Sequence, residues 1–277
     1  MAWATQAKLV IGYDNAVTPD KITAITVTNI VPDSGFSQDN LKYPDPGLKM
    51  RTSATSANDR IITIQFSSSQ TFSCAGVLAH DLISRGYDFV NVEHSANGTS
   101  WTPVGTGTTA LATEGNPNFL LRFSSAANTW WRFTFGKSSG TRPVFEVGML
   151  FLGRIHEFGR HVVKDGGFTI IRDPGIGFVE AAGMDTWITQ GAVRFDDEAE
   201  AELQQVLAAD AAVFVNRIFE TNLRKIICLL SPEHVVAQMP IVGQHLFGYL
   251  LPTSHAVRNG WGSGDKYDLT INLRGAA

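Results

Sequence analysis

Between Val90 and Val104 the chain reads VNVEHSANGTSWTPV, with Val90, Val92 and His94 alternating with Asn91, Glu93 and Ser95. That two-residue period predicts a strand with one face buried. Ala96-Asn97-Gly98-Thr99 breaks the pattern, and Asn-Gly is the pair best able to adopt the positive backbone angles of a tight hairpin turn. Trp101 and Val104 resume an extended run. Further on, Thr129 to Phe135 (TWWRFTF) predicts another strand, with Trp131, Phe133 and Phe135 on one face and Trp130, Arg132 and Thr134 on the other.

The same reasoning along the chain predicts strands at Lys8–Tyr13, Ile22–Ile30, Asp59–Phe66, Cys74–Ile83 and Phe119–Phe123. Val31 to Met50 carries Pro32, Pro44 and Pro46 with Gly35 and Gly47. Proline removes a backbone donor and fixes one dihedral, so this segment is a long loop rather than a central strand or helix. Gly105 to Asn118 is a second loop. The spacing of about eight strands before Gly153, with no convincing helix, points to a β-sandwich or jelly roll. From Arg154 to Gly167 charge, histidine and glycine accumulate, which places a domain junction there and gives domains 1–153 and 154–277. In the second, Phe168–Arg172 and Thr186–Phe195 read as strands. Asp196-Asp197-Glu198 would cap a helix over 196–209, with Ala199, Leu203, Val206 and Leu207 forming its apolar stripe. Ala212–Arg217, Lys225–Leu230, Val242–Leu251 and Tyr267–Leu273 read as further strands, so the second domain is a β domain with one α-helix.

The pattern V-x-V-x-x-S-x-N-G-x-S-W-x-x-V, followed by Trp130–Phe135 and by Val144-Phe145-Glu146-Val147-Gly148, resembles the discoidin-type (coagulation factor 5/8 type C) domains of the galactose-binding-like jelly-roll group. The resemblance covers roughly the first 150 residues. It implies that Trp101 belongs to the core and that ligands, where bound, sit among loops at one end of the sandwich. VRFDDEAEAELQQVL, read from strand into helix, and the closing Tyr267–Arg274 (YDLTINLR) are similar to tail-tube-derived domains of bacteriophage tails. That group includes distal tail and baseplate hub proteins, some with an accessory galactose-binding-like jelly roll. The paired resemblances imply a structural subunit of a virion tail tip, made in the host cytoplasm. It would close a homo-oligomeric ring, a hexamer, contact tube, hub and tape-measure proteins, and turn its jelly roll toward neighbours or a host-surface glycan. The alternative is a carbohydrate-binding module or adhesin that acts as a lectin without ring assembly.

Composition narrows the partners. Charged residues make up only 17% of the chain, a deficit that suits a surface partly covered by neighbours. A net charge of −4 and the lack of any basic run exclude nucleic acid, whose binding requires clustered Lys and Arg. Cys74 and Cys228 read as separate buried thiols rather than a disulfide. The first residues lack the basic-then-apolar order of a signal peptide, and no stretch reaches the length of a membrane span.

Motifs that invite catalytic readings fail on their own chemistry. His156-Glu157-Phe158-Gly159-Arg160-His161 has the wrong histidine spacing for a zinc helix and a glycine within it. Gly175-Ile176-Gly177 lacks the third glycine of a dinucleotide loop, and Gly260-Trp261-Gly262-Ser263-Gly264 has glycine where a nucleophile elbow needs serine. The expectation is therefore a non-enzymatic protein with no metal and no cofactor. For sugar binding the resemblance points to the long loop, where Phe36, Asp39, Asn40 and Tyr43 are the candidates, followed by His80 and Asp81. For Phe36 and Tyr43, ligand binding, subunit contact and loop packing all remain open.

Overall fold

The computed structural model describes residues 9–43, 45–105, 109–111, 118–159, 168–173, 178–181, 184–187, 196–220, 226–230, 245–259 and 266–275. The fold is mainly β. The chain divides into two compact units, one of Met1–Glu157 with Leu230–His245 and one of Phe158–Leu229 with Leu246–Ala277.

In the first unit the strands are β1 (Val10–Tyr13), β2 (Ile22–Thr28), β3 (Met50–Arg51), β4 (Arg60–Leu78), β5 (Phe89–Ser95), β6 (Thr102–Pro103), β7 (Thr109–Ala110), β8 (Phe119–Gly136), β9 (Glu146–Val147) and β10 (Met149–Glu157). They build a jelly-roll-like sandwich in which two long strands serve both layers. The front sheet runs β2, the first half of β4, the second half of β8, then β5, with β6 and β7 side by side along the far edge of β5. The back sheet runs β1, β10, the second half of β4, then the first half of β8. The β4–β8 ladder shifts register between Gln65 and Gln70 and again between Phe72 and Cys74. Bulges of this kind bend a strand and let it pass from one sheet to the other.

One-sided burial explains the alternation in the front sheet. Ile62 pairs with Phe133 and Ile64 with Trp131, while Val92 and Val90 face Phe133 and Phe135. All seven are fully buried. They meet Ala75, Val77, Phe119, Leu121, Leu150 and Leu152 of the back sheet in one core. Each buried aromatic or branched side chain contributes about 2 kcal/mol. The back sheet is buried on its other face too, through Cys74, Leu78, Leu120, Met149 and Phe151, so its strands read as continuous apolar runs rather than alternating ones. At the bend Trp131 stacks edge-on against Phe72, with ring centroids 5.0 Å apart, and donates its indole N–H to the Asn128 carbonyl at 3.1 Å.

Several expectations are corrected here. The separate strands at 59–66 and 74–83 are one strand, β4, and the pair 119–123 and 129–135 is likewise one, β8. Serine and threonine at the bends looked like loop residues because they sit where the ladder turns outward and is exposed. The turn after β5 is not a two-residue hairpin: Glu93 pairs with Pro103 and His94 with Thr102, which leaves Ala96 to Trp101 as a longer loop.

The second unit holds β11 (Phe168–Asp173), β12 (Phe178–Ala181), β13 (Met184–Trp187), β14 (Asp196–Leu207), α1 (Ala208–Val213), β15 (Ile226–Leu230), β16 (His245–Leu250), β17 (His255–Asn259) and β18 (Lys266–Gly275). Its sheet runs β11-β14-β18-β16-β15, β17 also pairs with β18, and among the described residues β12 and β13 form a separate two-stranded ladder. The helix expected over 196–209 is displaced. Residues 196–207 are a strand, and the helix begins at Ala208 and continues as a π turn over Phe214–Phe219. The misreading has a physical cause. Leu203 pairs with Leu269, but a bulge separates it from Val206, which pairs with Tyr267. The inserted step puts both Leu203 and Val206 on the buried side, and so imitates the i, i+3 spacing of a helix. Conversely, Ala212–Arg217, expected as a strand, is helical. Its buried neighbours Ala211, Phe214 and Ile218 follow helical spacing. The loop motifs at 175–177 and 260–264 lie outside the described residues, as do residues 188–195 of the strand expected at Thr186–Phe195.

Candidate functional site

The segment from β2 to β4 and the turns at 79–88 and 137–148 gather at one end of the sandwich. Arg60, fully buried, ties them together. Its guanidinium donates to the carbonyls of Asn29 (3.2 Å), Arg142 (3.1 Å) and Ala54. Arg142 reaches the Asp59 carboxylate at 2.6 Å and donates to the carbonyls of Ala57, Gly140 and Lys137. The buried phenol of Tyr87 donates to the Pro143 carbonyl at 2.7 Å, and burial pushes its pKa up to about 12, against the opposing pull of Arg60. These loops are thus pinned from beneath by charge-assisted hydrogen bonds, which are stronger than neutral ones.

On that platform the long loop folds into a short 3₁₀ turn, Gln38–Lys42, capped by Ser37, whose hydroxyl accepts from the Asp39 N–H. Leu41 anchors the turn in the core. The β3–β9 ladder sets Arg51 opposite Glu146. Because Met50 is buried, its neighbours Lys49 and Arg51 both point outward. Arg51 lies 2.7 Å and Lys49 3.1 Å from the two oxygens of Glu146, and the Arg51 guanidinium sits 4.4 Å above the ring of Phe36. Burial works to raise the Glu146 pKa, but Lys49 and Arg51 outweigh it and hold the carboxyl below its ordinary value. The Glu146 N–H donates to Asp81 at 2.8 Å, and Asp81 also receives Arg85 at 2.8 Å.

The four candidates from the sequence therefore lie in that turn (Asp39, Asn40) or beside it (Phe36, Tyr43) but differ in what they offer. Phe36 is half-buried and braced by Arg51. Tyr43 is 50% exposed. Asp39 is exposed and paired with Lys42 at 2.7 Å. Asn40 spends its amide on the Lys49 carbonyl at 2.9 Å, so it holds the loop. His80 is buried, its Nδ1 accepting from the Leu82 N–H at 3.3 Å. Burial lowers its pKa to about 4, despite Asp81 next to it. Asp81 is a brace for Glu146 and Arg85. Lys49, Arg51 and Glu146 were missed. The signal available was the alternation Lys49-Met50-Arg51, with charges flanking a buried residue.

Trp101 is corrected as well. It is not a core residue: it lies half-buried on the outer face of the front sheet, 4.3 Å from the guanidinium of Arg132. Arg132 in turn grips Glu93 through two bonds of 2.6 and 3.0 Å. The hairpin loop is shaped by the Ser95 hydroxyl, which accepts from the Asn97 and Gly98 N–H groups. Asn97 Oδ1 accepts from Thr99 and Ser100.

Chemically, the loop end offers an exposed phenol, a braced phenyl ring and fixed donors and acceptors, with two cations, Lys49 and Arg51, on the one carboxylate of Glu146. Among the described residues no group of three or more His, Cys, Asp or Glu could hold a metal ion.

No family model matches the chain, and no curated protein matches it. Solved structures do. A pectin-binding carbohydrate-binding module is 14% identical, with a TM-score of 0.38, over 48% of this chain and 90% of its own. CBM32-3 from a family 31 glycoside hydrolase of Clostridium perfringens is 19% identical, with a TM-score of 0.38, over 48% of this chain and 91% of its own. A chitosan-binding module from a chitosanase/glucanase of Paenibacillus sp. IK-5 is 19% identical, with a TM-score of 0.40, over 50% of this chain and 98% of its own.

Proposed function

We propose that the protein binds carbohydrate without catalysis, through the loop end of its first unit. The observation that carries this reading is the juxtaposition of Phe36 and the Arg51–Glu146–Lys49 cluster on loops fixed by Arg60 and Arg142, with exposed Tyr43 on the same loop. A sugar ring has an apolar C–H face and a rim of hydroxyls. Aromatic faces match the first, and charged groups that hold one another in fixed positions match the second as donors and acceptors. Pre-fixed loops reduce the ordering cost of binding. Calorimetric titration of the full chain against a panel of neutral polysaccharides tests the reading. Tyr43→Ala and Arg51→Met are each expected to weaken the best ligand by about tenfold, roughly 1.4 kcal/mol. If no glycan in the panel binds, or if both variants bind like the parent, the reading fails.

A second reading, a tail-tip ring subunit, draws on the second unit. There a β-sheet carries a short helix after β14, and Leu207, Tyr249 and Val257 are exposed. Apolar side chains left in water suit subunit contacts. Light scattering and negative-stain microscopy at high concentration would reveal a closed ring if this reading is right, and only smaller species if it is wrong.

A further inference from the structure

We propose that the outer edge of β2 is a self-pairing surface, joining two copies of the chain antiparallel about a twofold axis at Thr26. β2 closes one side of the front sheet: its inner edge pairs with β4, and among the described residues no strand pairs with its outer edge. An edge strand presents unpaired N–H and C=O groups, and monomeric β proteins protect such edges with charges, prolines or distortion. β2 reads ITAITVT over its 7 residues, with no charge, proline or glycine. The one distortion, a bulge between Ile22 and Ala24, lies at its start and leaves Ala24 to Thr28 regular. Thr23, Thr26 and Thr28 are exposed, while Ile25 is buried against the core. The one charge next to the strand, Lys21, is paired with Asp14 at 3.5 Å.

The occupant follows from the sequence of the edge. Antiparallel pairing about Thr26 would set Thr26 against Thr26 of the second copy, Val27 against Ile25, and Thr28 against Ala24. Residues directly opposite share a face, so small side chains (threonine and alanine) meet on the solvent side and branched apolar ones on the core side, with no like charges opposed. The front sheets of two copies would become one continuous sheet. A contact of this length buries less than the ~800 Å² per partner of a standard stable interface, so the dimer is weak. Its dissociation constant falls between about 10 µM and 1 mM.

The test is independent of glycan binding. Sedimentation velocity of the full chain is expected to show a dimer whose fraction grows with concentration across that range, and Thr26→Lys, which opposes two ammonium groups on the axis, is expected to return it to monomer. Register is read by cysteine pairing under mild oxidation with diamide. Thr26→Cys is expected to cross-link at least tenfold faster than Thr28→Cys, because only residue 26 meets its own copy. A chain that stays monomeric at about 1 mM overturns the proposal. So does equal cross-linking of the two cysteine variants, or a dimer unaffected by Thr26→Lys.

Discussion

Gly98 tests how the hairpin loop is held against the front sheet. Its φ is +74°, in the region where a side chain on an L-residue costs about 1–2 kcal/mol. A Cβ there would also come within 3.1 Å of the Trp130 indole, tighter than van der Waals contact. Gly35 and Gly140 separate the two effects, because their φ values are +79° and +78° but an added Cβ meets nothing within 4 Å. All three alanine variants lose stability to backbone strain and regain part of it through a stiffer unfolded chain, a net loss of about 1 kcal/mol. Gly98→Ala adds the displacement of Trp130, about another 1 kcal/mol by the overpacking scale. Urea unfolding of the full chain, followed through the first unit's transition, is therefore expected to rank Gly98→Ala about 1 kcal/mol below the other two. In a Trp130→Ala background that excess is expected to vanish, since the obstructing ring is gone. If Gly98→Ala costs no more than Gly35→Ala and Gly140→Ala, the loop does not rest on Trp130 and the geometry drawn here for the hairpin is wrong.

Acid should weaken the first unit through His80. Its folded pKa of about 4 lies below the unfolded value of 6.5, so its stability is intact above pH 6.5 and drains away as the unfolded state alone takes up a proton between pH 6.5 and 4, a loss of up to about 3 kcal/mol. His80→Gln, compared with the parent by urea midpoint at pH 7 and pH 4.5, is expected to flatten that window, and an unchanged slope would refute the assignment. Trp131→Ala should cost about 3–5 kcal/mol in the same unfolding assay, since the ring is fully buried and packs on Phe72 and Phe123; a cost below 1 kcal/mol on that scale would contradict the packing. Burial pushes the Cys74 thiol far above its ordinary pKa, so peptide mapping after native treatment with N-ethylmaleimide should find Cys74 unmodified, with labelling only in denaturant.

Some of the architecture is legible from the residue pattern and some is not, for reasons that differ by element. Ile62, Ile64 and Phe66, and likewise Trp131, Phe133 and Phe135, announce their faces because the front sheet is buried on one side only. The passage of β4 and β8 between sheets is hidden because exposed bend residues such as Ser67, Ser68 and Ser69 have loop chemistry. In β14 the charges of Asp196, Asp197 and Glu198 suit a helix start, and pairing with β11 and β18 on its two sides overrides that local preference. Within the site, Phe36 and Tyr43 come forward through the family resemblance, which points to the long loop, and not through any pattern of their own. The Arg51–Glu146 pair was not readable, since β3 and β9 are short and far apart in the chain and their register exists only once the sandwich has closed. The resemblance implies a core position for Trp101, but its Arg132 partner supplies, on the outer face, the cover that the core would otherwise give.

The two layers of the first unit are not joined by side-chain packing alone. With β4 and β8 each woven through both, the covalent backbone crosses the gap twice, and the layers cannot peel apart like the covers of a book. Tension applied at β1 or β10 passes along an unbroken chain to the strands beside β5. Mechanical unfolding must therefore tear the β4–β8 ladder itself, and the loop end that Arg60 fastens should keep its shape until that rupture.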